Sequence, residues 1–174
     1  MIGLKRGIVK LIPHKTSWSR SFEYEKKRIL SKVGDIIIDI QHIGSTSISG
    51  IKAKPIIDMS AGITKFKDAT KLIKPLHVLG YRFYRKFGQQ ILFAKGPNKK
   101  RTHYLHAMKF GGAKWRSDLL FRDYLRTHHS RAREYEDLKL KLAKEHPQNR
   151  DKYTAGKKEF IEETIELAKK YRKF

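Results

Sequence analysis

The sequence predicts an α+β fold: a mixed or antiparallel sheet flanked by helices and followed by further helices. Three observations predict it. Up to about residue 112, short β-branched runs alternate with amphipathic stretches and are punctuated by glycine and proline. From Trp115 onward the apolar spacing is helical throughout. Within the first region, over 81–110, lie three short apolar runs whose connections are too brief for crossover helices, which favours antiparallel pairing.

Residues 8–12 alternate weakly and stop at Pro13, as a short strand or extended entry segment does. From Ser17 the apolar positions Trp18, Phe22, Ile29, Leu30 and Val33 recur at helical spacing; Thr16 or Ser17 can cap the run and Gly34 closes it. Residues 36–43 are β-branched and bounded by Gly34 and Gly44, which predicts a buried strand. A loop with a short helical turn follows, and Pro55 leads into a second strand over 56–63. Phe66, Ala69, Leu72, Ile73, Leu76 and Leu79 mark a helix over 65–79 that ends at Gly80. Strands follow near 81–85, 90–95 and 102–110, separated by Gly88 and by the turn Gly96-Pro97-Asn98. Helices are expected at about 114–128, 131–145 and 150–172, broken at His128-His129-Ser130 and at Pro147. Trp115, Phe121, Leu125 and Leu138 are expected in the core. No Ser- or Gly-rich linker separates the two regions, so 1–112 and 113–174 are expected to pack as one domain.

No apolar run approaches the roughly 18 residues of a membrane span. The basic start of the chain has no apolar segment behind it, so no signal peptide is expected and cytoplasm is the default. With no cysteine, disulfides and thiolate metal sites are excluded. The charge is one-sided: 40 Lys and Arg stand against 17 Asp and Glu, net +23. Residues 1–112 hold 23 basic and 6 acidic residues, and 113–174 hold 17 and 11. Between Asp68 and Asp118 there is no carboxylate side chain, while cations including Lys99, Lys100 and Arg101 are frequent. Such a stretch attracts polyanions and makes RNA or another nucleic acid a candidate partner through those three residues; the competing reading is a solvated lysine-rich surface. Oligomeric state is left open.

The segment from His42 to Asp58 carries the chemistry. A strand ends at Gly44-Ser45, a turn rich in hydroxyls (Ser45, Thr46, Ser47) opens a helical turn, and the next strand presents Asp58. Glycine allows close backbone approach, while turn N–H groups and hydroxyls can hold phosphate oxygens. Across from them Asp58 can hold a divalent cation, Mg²⁺ or Mn²⁺, against the same phosphates.

This segment resembles the GrpB family, assigned to the nucleotidyltransferase superfamily shared with DNA polymerase beta and the aminoglycoside-modifying enzymes. The resemblance covers nearly the whole chain: Pro13, Trp18 and Phe22; the run His42 to Thr46 and Lys54 to Asp58; Thr102 to His106; Phe121 to Arg126; Tyr135 with Leu138-Lys139; and Tyr153 with Lys157. It implies a nucleotidyltransferase-like sheet and a phosphorylated ligand, nucleotide or coenzyme, with metal-dependent nucleotidyl transfer as its activity and Asp58 as the catalytic carboxylate. A catalytically degenerate RNA- or ribonucleoprotein-binding protein is the alternative. The chain departs from the superfamily pattern at Ser60, where a second carboxylate is expected, and has no third carboxylate anywhere in 69–117.

Histidines can take over part of a metal-binding role, and His42, Asp58 and His106 form the candidate single-metal set. The other reading gives His42 and His106 ordinary hydrogen bonds. Arg122 and Arg126, one helical turn apart, are candidate phosphate clamps, and Tyr153 with Lys157 a candidate stacking and phosphate pair; Asp123 and Glu134 offer the arginines structural partners instead. Lys54 completes the candidate phosphate-binding set.

Overall fold

The computed structural model describes residues 2–97 and 99–171. Its elements are β1 (Leu4–Lys5), α1 (Ser17–Val33), β2 (Ile37–Ile43), a 3₁₀ turn (Ser45–Ser47), β3 (Ile57–Ile63), a 3₁₀ segment (Phe66–Leu72), α2 (Ile73–Val78), β4 (Tyr81–Phe87), β5 (Gln90–Lys95), β6 (Lys100–Arg101), β7 (His103–Lys109), α3 (Ala113–Thr127), α4 (His129–Glu145), α5 (Arg150–Ala155) and α6 (Lys158–Tyr171). Asn98 of the expected turn and position 172 of the expected last helix lie outside the described residues.

Five strands form one mixed sheet in the order β2-β3-β7-β5-β4. The β4-β5-β7 meander is antiparallel, as its short connections require, and β3 runs parallel to β7. One face of the sheet receives α1 and the 72–79 region: Trp18, Phe22, Ile29 and Val33 from the helix meet Ile40, Ile57, Met59, Ala61, Leu105 and Phe93 in the main core. On the other face α3 packs against β2, β3 and β7. A second core joins Ile48 and Ile51, from the β2–β3 connection, to Phe121, Leu125, Ala132 and Tyr135 of α3 and α4.

Of the two readings of residues 8–12 the entry segment holds and the strand does not: Ile12 makes a single bridge to Ala53, while the strand at this end is β1, paired with β6. Two local expectations are corrected. The helix expected over 65–79 divides into a 3₁₀ segment and a short α-helix. Pro75 lies in the first turn of α2, where its missing N–H breaks no hydrogen bond, and a single helix through this region would have put it in the interior. The last helix is two. Asn149 caps α5 by accepting from the Lys152 N–H, and the chain turns at Gly156. A Cβ there would lie 2.5 Å from Leu142 Cδ2, so the absent side chain lets α5 close onto α4.

The core also buries an ion pair. Glu25 on α1 is almost fully enclosed and accepts from Lys95 Nζ at 2.6 Å and from Arg28 at 3.2 Å. Burial alone would raise the Glu25 carboxyl, but the Lys95 hydrogen bond and charge hold it below its ordinary 4.5. Removing one partner of an enclosed pair strands the other, at a cost of about 3 kcal/mol or more. Glu25→Ala is therefore expected to lower unfolding stability in urea by roughly 3 kcal/mol near neutral pH. Because the folded carboxyl is depressed, this contribution is complete above about pH 4.5 and is lost as pH falls through the lowered value. Stabilities of the wild type and the variant should converge in acid.

Candidate functional site

The register of the sheet decides which candidate side chains can meet. Asp58 is paired with Ile43 on β2 and with Tyr104 on β7, and Ser60 with Gln41 and His106. Paired residues point to the same side, so Asp58, Ser60, Tyr104 and His106 share the face that α3 partly covers. His42 is paired with Met59 and points the opposite way. Its ring stacks on Phe22 of α1 at 4.8 Å and shares a 3.0 Å hydrogen bond with Thr46 Oγ1. Burial pushes the His42 imidazole down to about 4, keeping it neutral near pH 7.

The expected trio of His42, Asp58 and His106 is thus divided by the sheet. Asp58 and His106 meet, with Nε2 of the ring 3.8 Å from Oδ1. On the far side of the ring the Gln90 amide contacts Nδ1. With Gln90 Nε2 donating there, the ring proton sits on Nε2, facing Asp58. Ser60, where the resemblance led to the expectation of a second carboxylate, donates its hydroxyl to Asp118 of α3 at 3.1 Å. Asp118 is in turn paired with Lys114. Among the described residues no group of three or more His, Asp or Glu side chains could hold a metal ion. One free carboxylate and one imidazole do not fit a two-cation centre.

What surrounds Asp58 is cationic. Gly44 adopts φ +67°, and a Cβ there would stand 2.9 Å from Asp58 Oδ2, so the bare backbone of the turn lies directly against the carboxylate. Lys54 and Lys157 place their ammonium groups over the Tyr153 ring at 4.7 and 4.8 Å. Tyr153 itself is enclosed. Arg150 reaches the Tyr104 ring at 5.8 Å. Burial, reinforced by Lys157, Arg150 and then Lys139, pulls Lys54 down to about 7 against the attraction of Asp58. For Asp58, burial would raise the carboxyl, but His106, Lys54 and Lys157 override it and hold the group below its usual value. Lys139, fully buried, is likewise pulled down to about 7 by burial and by Lys157.

The hydroxyl-bearing turn serves two places. Gly44 faces Asp58, whereas Thr46 and Ser47 line a separate cavity of about 370 Å³ on the other side, with His14, His42, Arg126 and His129. Ser45 opens the 3₁₀ turn and is half-buried. The two arginines expected to act together also part. Arg122 is buried and spends its donors on Asp123, the Gln41 side chain and the His42 carbonyl, pinning α3 to β2. Arg126 donates through Nε to the Ser47 carbonyl at 2.9 Å, stands 3.8 Å from Asp123 and lines the second cavity. Lys99 and Lys100 are exposed, but Arg101 is buried with its guanidinium 5.9 Å above the Tyr84 ring, so the three form no common exposed cluster.

Sequence reasoning missed Arg150, Asp118 and the role of Lys139. Asp118 had a signal: it precedes Arg122 by one helical turn and so shares its face toward the sheet. Arg150 had none, because its position depends on how α5 docks.

Comparison with known proteins places this arrangement. The profile of the GrpB protein family matches residues 8–167, so the chain belongs to the GrpB family. It is 36% identical over 171 residues to the glutamate-rich protein GrpB of Alkalihalophilus pseudofirmus, spanning 95% of this chain and 98% of that one. It is 39% identical to the UPF0157 protein YqkA of Bacillus subtilis, covering 95% of this chain but 48% of that longer relative. The crystal structure of the conserved protein GrpB from Enterococcus faecalis superposes with a TM-score of 0.84 at 32% identity, covering 93% of this chain and 99% of that one. Among the described residues no helix is long and apolar enough to cross a membrane.

Gly44→Ala tests the turn. Its positive φ and the 2.9 Å approach both resist a side chain, so the variant is expected to lose about 1 to 3 kcal/mol of stability. It should also displace the Asp58 carboxylate, visible as a shift of the His106 ring signals in NMR spectra.

Proposed function

We propose that the chain binds a phosphorylated small molecule, a nucleotide or a coenzyme, at the cluster formed by Gly44, Lys54, Asp58, Tyr153 and Lys157. One observation carries this reading: Lys54, Lys157, Lys139 and Arg150 act on one another around a single free carboxylate, and two of the ammonium groups share one aromatic ring. Enclosed like charges repel strongly, and a phosphate brings the compensating charge together with acceptor oxygens. The bare Gly44 backbone admits that phosphate close to the turn. Asp58 and Gln90 hold the His106 ring between them beside the ligand. Lys139 and Arg122, both enclosed, hold the cleft walls rather than the ligand.

Nucleotidyl transfer with Mg²⁺ or Mn²⁺ asks more of the donors than Asp58 and His106 supply, so the binding function is proposed without a resident metal. The test is thermal unfolding with nucleoside triphosphates and coenzyme A, in Mg²⁺, Mn²⁺ or chelator. At a hundredfold excess over Kd, a true ligand contributes about 2.7 kcal/mol and raises Tm by about 5 to 10 °C. That rise should survive chelator and disappear in Lys54→Met and Lys157→Met. A panel that leaves Tm unchanged, or a rise that both variants keep, overturns the reading.

Affinity should also depend on pH with a defined sign. Free Lys54 titrates at about 7, and a bound phosphate raises that value, so binding takes up a proton. Affinity should fall by up to about tenfold per pH unit above 7. Calorimetry in buffers of different ionisation enthalpy would detect the proton, and Lys54→Arg should flatten the dependence.

A further inference from the structure

The sheet face that carries Asp58 is covered on one half only. Helix α3 packs over β2, β3 and β7, and the edge strand β4 is left open: every residue from Arg82 to Gln89 is exposed. Edge strands are commonly blunted by charge, and β4 carries charge. It also exposes Phe83, Tyr84 and Phe87, by 49, 38 and 40%. Phe83, paired with Phe93, faces the core side and meets that ring edge-on at 6.4 Å, whereas Phe87, paired through Gln90 with Met108, lies on the Asp58 face.

Their arrangement is ordered. Arg85 is paired with Leu92, whose partner on β7 is His106, so Arg85 points to the Asp58 face. Tyr84 sits in the irregularity between Phe83 and Arg85, and its ring lies 6.5 Å from that of Tyr104. The Arg85 guanidinium is 4.2 Å from the Phe87 ring and 5.6 Å from Tyr84; Arg6 reaches Tyr84 at 6.0 Å from above β1. Buried Arg101 supports the same ring, and Arg150 lies over Tyr104. Rings and guanidiniums therefore alternate from the border of the Asp58 cleft to the sheet edge, within a stretch that has no carboxylate between Asp68 and Asp118.

We propose that this open half-sheet binds single-stranded nucleic acid, bases stacking on Tyr84, Phe87 and Tyr104 and phosphates held by Arg6, Arg85 and Arg150. Flat exposed rings accept the faces of unstacked bases, which a duplex does not offer. Pairing of β4 with a second copy of itself would set Arg82, Arg85 and Lys86 of two strands against one another, which disfavours a dimer through this edge. The surface borders the Lys54 cleft through Tyr104 and does not depend on a ligand there.

Fluorescence anisotropy with labelled 12-mers of uridine and thymidine, and with a 12-base-pair duplex, tests it. Single strands should bind at least tenfold tighter than the duplex. With three phosphate contacts, their affinity should fall roughly twentyfold between about 50 and 200 mM salt. Tyr84→Ala with Phe87→Ala should weaken single-strand binding by roughly thirtyfold or more, because each stacked base contributes separately. Arg85→Gln should lower the salt slope by about 0.7. All three positions are exposed, and unchanged far-UV circular dichroism would confirm that the variants fold. Lys54→Met should leave oligonucleotide binding intact, which separates this surface from the cleft. Equal binding of duplex, wild-type affinity in the double aromatic variant, or a wild-type dimer in sedimentation that the double variant abolishes, would each overturn the proposal.

Discussion

Asp58 is paired with Ile43 on one side and Tyr104 on the other, and the polar geometry of the molecule follows from that register. A slip of β3 by one residue would turn Asp58 toward α1 and away from His106. The register is enforced by apolar residues. Ile57, Met59, Ala61 and Ile63 alternate with Asp58, Ser60 and Gly62, and only one set can face the core under α1. At Gly62 a Cβ would meet the Phe110 and Trp115 rings, so even the smallest member of the polar set is fixed by packing. The burial of one face thus dictates where Asp58 stands on the other.

The helical end of the chain completes what the sheet begins. The connection between β2 and β3 has little ladder of its own, and its enclosed backbone groups need partners. Helix α4 supplies two of them at one residue: Glu136 accepts from the Lys52 N–H at 2.7 Å, and Lys139 donates to the Lys52 carbonyl. Helix α3 supplies two more, Arg122 to the His42 carbonyl and Arg126 to the Ser47 carbonyl. These side chains sit at helical spacings of three and four, so each helix grips with one face. The turn that presents Gly44 to Asp58 is therefore held in shape from residues some eighty positions further along.

Much of the fold was legible because it rests on periodicity and local punctuation. The strand 36–43, the strand ending at Ile63, the meander and the helix from Ser17 all follow from apolar spacing and from the glycines that close each run. Breaks inside helices were harder: Pro75 and Gly156 are single residues, and the effect of Gly156 depends on the approach of Leu142, which no local pattern announces. Of the candidate site, the proximity of Gly44 to Asp58 was legible. The division between His42 and Asp58 was not, because it turns on pairing across strands. Arg122 and Arg126 looked equivalent on one helical turn, yet one is spent on β2 and the other opens to a cavity. Spacing gave them a common face and said nothing of what that face meets.

Cation crowding at the cleft has a consequence for the molecule as a whole. Lys54 and Lys139 are both pulled toward 7, so near neutral pH each carries its charge only part of the time. A deprotonated ammonium relieves repulsion at the cost of proton binding that the unfolded chain, with ordinary lysines, would keep. Sign follows directly: the folded values are lowered, so the unfolded state binds more protons, and these two groups stabilise the fold progressively as pH rises through 7 toward the ordinary lysine value. A phosphate in the cleft reverses the balance by favouring the charged form. Of the two, Lys54 is the one that an anionic ligand would convert into an attachment, while Lys139 stays tied to the Lys52 carbonyl.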